Sequence, residues 1–270
     1  MENSSFKPDT TRLSIMIATI LLVYAVTQFI RPPESQIALQ LPGFFLPIPI
    51  NFRDFIWFGV AVLAAAGMDW LLIDYPDLSP RQRSQHWLLP ALTAWVIGVP
   101  LYALPSGAAW WLVYILGGLL LILVFWGEFY TVTPRANSRQ IAALGLTGMS
   151  YALFVVLAAG LRFSITRLYL VAPAVMITSG LIALRALYLH THGDWHYNWS
   201  VAVALLMGQL AIGFHYLPLN AIQYGMLLVG FLYAVISLAG RAAQHNIQRS
   251  DLYESGVAIA VALLLAFLMG

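Results

Sequence analysis

The chain has 270 residues, of which only 9% are charged (13 Lys and Arg, 11 Asp and Glu, net +2) while 61% are hydrophobic. Mean hydropathy is +0.81, whereas an average soluble domain is about 25% charged, and a water-soluble globule this size cannot hide so much apolar surface. A soluble enzyme is therefore excluded, as is a nucleic-acid binder, since no basic stripe accompanies the small net charge.

What remains is an all-α polytopic transmembrane bundle. A spanning helix needs about 20 mostly apolar residues. The first such run, 13–30, follows a polar tail of about 12 residues. It lacks a small-x-small cleavage site before Arg31 and is expected to be a retained helix, not a cleaved signal. Next comes an interfacial loop over 31–53, containing Ile37-Ala-Leu-Gln-Leu-Pro-Gly-Phe-Phe-Leu-Pro-Ile-Pro-Ile50. Its prolines and Gly43 forbid a regular helix. The expectation is an interfacial or hairpin-like segment lying on the membrane, with a re-entrant loop at a substrate path as the alternative. Further apolar runs fall at 54–73, 87–104, 107–130, 141–160, 168–189, 197–217, 219–239 and 254–270, giving nine spans in a single integral membrane domain over 1–270. None alternates as barrel strands do, so helices must satisfy the backbone in lipid.

Basic residues set the expected orientation. With the N-terminus cytoplasmic, that side receives nine, namely Lys7, Arg12, Arg81, Arg83, Arg135, Arg139, Arg185, Arg241 and Arg249. The other side receives four, Arg31, Arg53, Arg162 and Arg167. That asymmetry fits the positive-inside rule and a multi-pass protein of the plasma membrane. The two tight outer turns, around Pro105 and Pro218, also align at an offset of 113 residues, which sets Gly117 on Gly230, Gly127 on Gly240 and Glu128 on Arg241. A weak parallel duplication of four-helix halves, of a kind found among transporters, is one reading. Chance matching of two apolar hairpins is the other.

Ionisable groups inside spans are costly and by default suggest function. Asp69 lies one turn from the cytoplasmic end of the second span, Glu128 and Arg185 at that end of the fourth and sixth, and His86 at the start of the third. These four form a candidate polar site, with Asp69 or Glu128 paired to Arg185. Against it stands a set of snorkelling or structural ion pairs. His215, near the outer end of the seventh span, is a candidate ligand for haem or a chlorophyll-type pigment, or a satisfied helix-end histidine. The cluster His190, His192, Asp194 and His196 offers donors suited to zinc or copper. It does not follow a recognised zinc spacing and reads equally as an interfacial turn beside Trp195, Tyr197 and Trp199. Without cysteine there is no thiolate zinc site, iron–sulfur cluster or cysteine nucleophile, and the single lysine, Lys7, lies outside the spans and cannot form a retinal Schiff base. The chain also lacks a D-x-x-x-D magnesium motif, a nucleophile elbow and a phosphate-binding glycine loop. No cofactor is strongly implied.

Several segments taken in order carry a resemblance. They are Met68-Asp-Trp-Leu-Leu72, His86-Trp-Leu-Leu-Pro-Ala-Leu-Thr93, Trp110-Trp-Leu112, Leu144-Gly-Leu-Thr147, Ser150-Tyr-Ala-Leu153, Ala183-Leu-Arg185, Gln209 and His215-Tyr-Leu-Pro-Leu219. Over nearly its whole length the chain resembles an uncharacterised domain-of-unknown-function family of bacterial multi-spanning membrane proteins. The resemblance implies a single membrane domain and supplies no activity or site residues. Sparse intramembrane charge and the missing catalytic constellation favour a structural or accessory subunit of a membrane complex, with lipids and other membrane subunits as partners. The alternative is a lipid- or isoprenoid-handling membrane enzyme, or a small-molecule transporter, using the Asp69, Glu128, Arg185 and His86 layer.

Overall fold

A computed structural model describes residues 9–29, 35–41, 44–50, 52–74, 78, 80–132, 136–164, 168–190, 195–244 and 248–269. In chain order the elements are α1 (Thr10–Phe29), β1 (Ser35–Leu41), β2 (Phe44–Ile50), α2 (Phe52–Leu72) and the short α3 (Pro80–Arg83), which runs through a 3-10 turn (Ser84–Trp87) into α4 (Leu88–Ala103). They continue with α5 (Ala108–Val132), α6 (Ala136–Ser164), α7 (Leu168–His190), α8 (Tyr197–His215), α9 (Ala221–Ala243) and α10 (Arg249–Leu268). Among the described residues nine helices are long and apolar enough to cross a membrane, and they coincide with the nine apolar runs to within a few residues. The chain is an integral membrane protein.

Helix ends follow local chemistry. Asp9 caps α1, its carboxylate accepting from the backbone N–H of Thr11 at 2.9 Å and of Arg12 at 3.3 Å. Asn220 and Gln223 form a reciprocal capping box at the start of α9. Between α1 and α2, the segment barred from helix by its prolines pairs as an antiparallel hairpin, Ser35 opposite Ile50 through Leu41 opposite Phe44. Pro47 and Pro49 are two residues apart, so both missing N–H groups fall on one edge of β2. That edge can face away from β1, the position strand proline tolerates.

The chain divides into two compact units, Met1–Pro134 and Arg135–Gly270. In the first, α2 packs on α1 and α4, α4 on α5, and α5 back on α1, closing a ring of four spans. Its core joins Ile20, Tyr24, Ala64, Met68, Leu72, Ala94, Leu121 and Phe125, all fully buried. Close approach is bought by glycine at Gly98, where the Trp57 ring fills the space a Cβ would need. Buried hydroxyls and indoles find main-chain acceptors: Tyr24 donates to the Ala94 carbonyl, Trp110 to that of Leu101 at 3.1 Å and Tyr114 to that of Leu21 at 3.0 Å.

In the second unit α7 packs on α6 and α8, and α9 packs on α6 and α8, so the pairing order of four spans recurs. α10 then lies along α9, with Ala262 filling the gap left by Gly230. The residue correspondence does not follow the pairing order. Gly117 faces Ile97 of the preceding α4, whereas Gly230, its counterpart at an offset of 113, faces the following α10. Any four sequential antiparallel spans closed into a ring would share the pairing order.

Candidate functional site

At one end of the first unit the start of α1, the end of α2, the entry to α4 and the end of α5 meet, because antiparallel neighbours bring opposite helix ends together. Three side-chain pairs join different helices there. Arg12 stands at 2.7 Å from Asp74 and donates to the Trp70 carbonyl at 3.1 Å, its guanidinium 5.4 Å from the Trp70 ring centre. Arg83 lies 3.5 Å from Asp69, whose side chain is about a third exposed. His86 Nδ1 lies 2.8 Å from Glu128 Oε2, with the imidazole 7% and the carboxylate 0% exposed.

The His86–Glu128 pair is the buried centre of this end. His86 projects from the 3-10 turn that leads into α4, and Glu128 from the last turns of α5. A single proton is shared between Nδ1 and Oε2 in this hydrogen bond. One turn further along α5, Thr131 donates its hydroxyl to the Glu128 carbonyl at 2.7 Å and lies 3.5 Å from His86 Nδ1. Chemically, the arrangement can hold a proton in a setting shielded from bulk water, or tie two spans together through a charge-assisted bond. Asp69 differs: it lies at the rim, with Arg83 as its cation. Arg185 lies on α7 in the second unit, with 6% of its surface exposed.

The second unit has two polar clasps of its own. Arg241, near the end of α9, pairs with Asp251 and, at 2.6 Å, with Glu254 on the first turns of α10. Tyr233 donates to the same Glu254 at 2.7 Å. At the other end of these helices, Gln223 donates to the Ala266 carbonyl at 3.1 Å and Asn220 to that of Met269 at 3.3 Å. Elsewhere Arg162, at the end of α6, donates to His215 Nδ1 at 3.1 Å, to the His215 carbonyl at 3.1 Å and to that of Leu217 at 3.4 Å, with its guanidinium 5.7 Å from the Tyr224 ring centre.

That contact bears on His215 as a haem or pigment ligand. A ligating histidine donates its second ring N–H to an acceptor, which fixes the ring and raises its basicity. Arg162 offers only donors, so Nδ1 of His215 must accept and the ring hydrogen sits on Nε2. The site does not fit axial ligation. Of the loop cluster, His192 and Asp194 and the side chain of His190 lie outside the described residues, and His196 stands just before α8, where its carbonyl accepts from Ser200 N–H. Among the described residues no group of three or more His, Asp or Glu side chains is placed to hold a metal.

Sequence reasoning missed Arg83, Thr131, Arg162 and the Arg241–Asp251–Glu254 clasp. Arg83 alone carried a local signal, one turn before His86 in the same polar segment. The family model described as a protein of unknown function (DUF5656) matches residues 31–269, and the chain belongs to that family. No curated protein and no solved structure matches it.

Proposed function

We propose that this member of the DUF5656 family is a structural or accessory subunit of a complex in the bacterial plasma membrane, with its N-terminus in the cytoplasm. One observation carries the reading: the polar side chains near span ends bond across helices. Arg12–Asp74, Arg83–Asp69, His86–Glu128, Arg162–His215 and Arg241–Asp251 each join one span or its flanking segment to another. Such pairs fix the packing of spans and leave broad apolar surfaces facing outward, as a subunit embedded among lipids and other chains requires. Its partners on this reading are membrane lipids and neighbouring membrane subunits.

Extraction from native membranes in mild detergent, followed by mass spectrometry, tests it. Partner chains in fixed stoichiometry are expected. A partner-free monomer would overturn the reading.

A second reading is favoured by Glu128 alone, since a fully buried carboxylate beside an imidazole also suits a proton-handling group. A lipid- or isoprenoid-handling enzyme, or a small-molecule transporter, would use that pair. On this reading the purified chain carries a defined lipid or small molecule that is lost in Glu128→Gln. If the variant retains the same co-purifying molecules as the wild type, this reading fails.

A further inference from the structure

We draw no further inference here: the strongest candidate, the exposed stripe of Gly145, Gly148 and Ala152 on α6, is an unpartnered small-residue face, and nothing in the structure shows what covers it.

Discussion

Asp69 and Glu128 sit in the last turns of α2 and α5, and Asp74 just beyond α2, where the carbonyl end of a helix repels an anion. Arg12 and Arg83 sit at or before the starts of α1 and α4, where the amide end repels a cation, and His86 lies one turn beyond Arg83. Each group placed singly would be disfavoured by about 0.3–1 kcal/mol. Pairing across antiparallel neighbours reverses the sign, because each cation then meets both an anion and the carbonyl end of the adjoining helix. Burial ranks the pairs. Breaking a buried pair costs about 3–5 kcal/mol, whereas a pair partly open to solvent contributes about 1 kcal/mol or less. His86→Ala should therefore lower stability in detergent by about 3 kcal/mol, and Arg83→Ala by less than about 1 kcal/mol. Thermal unfolding of the two variants measures the gap, and equal losses would sink the ranking. Adding Glu128→Gln to His86→Ala should recover part of the loss, since it replaces the buried carboxyl that has lost its imidazole partner. Arg162 supports a different expectation. It holds the carbonyls at the end of α8 as well as the His215 ring, so Arg162→Ala should destabilise more than His215→Ala. The reverse order would show that the imidazole, and not helix capping, is what the arginine serves.

The spans were legible as elements because lipid leaves the backbone no choice: an apolar run of sufficient length must bond to itself. Boundaries departed from the apolar runs where polar side chains extend a helix past its apolar stretch. α10 begins at Arg249 and not near 254, because Asp251 accepts from the Gln248 N–H at 2.9 Å and closes the first turn while meeting Arg241. Hydropathy scores such a turn as loop. Asp69, His86 and Glu128 were legible as polar residues near span ends, but their partners were not, since pairing depends on how each helix is rotated about its axis. The hydrophobic pattern is too uniform around these spans to fix that rotation. The sequence expectation set Arg185 against Asp69 or Glu128, whereas Glu128 meets His86 and Asp69 meets Arg83. For α10 the rotation is set by a narrow buried stripe of Asp251, Ser255, Ala262 and Ala266. Gly230→Val should push Ala262 away and separate α10 from α9, lowering stability by about 1–3 kcal/mol as overpacking does. Gly256→Ala, on the open side of α10, should be neutral or slightly stabilising in the same melt. If both behave alike, the α9–α10 contact is not what holds the last span.

Orientation belongs to the molecule as a whole, because it depends on the summed bias of every loop. Nine basic residues against four favour a cytoplasmic N-terminus. An odd number of spans then sends the C-terminus to the opposite side, so a single miscounted span would return it to the cytoplasm. The nine helices remove that ambiguity only if all nine cross. Since the chain has no cysteine, each added thiol reports one position without a background. In intact cells a membrane-impermeant maleimide should label Ser106→Cys, in the short turn between α4 and α5, and Met269→Cys, just past α10. Lys7→Cys should react only after the membrane is opened. The three answers are separately informative. If Lys7→Cys labels in intact cells and Ser106→Cys does not, the orientation is inverted and the positive-inside argument fails for this chain. If only Met269→Cys departs from expectation, one helix between Ser106 and the C-terminus lies along the membrane instead of crossing it. α10 would be the first suspect, since it packs on α9 with most of its remaining surface open and its first two turns carry Arg249, Asp251 and Glu254.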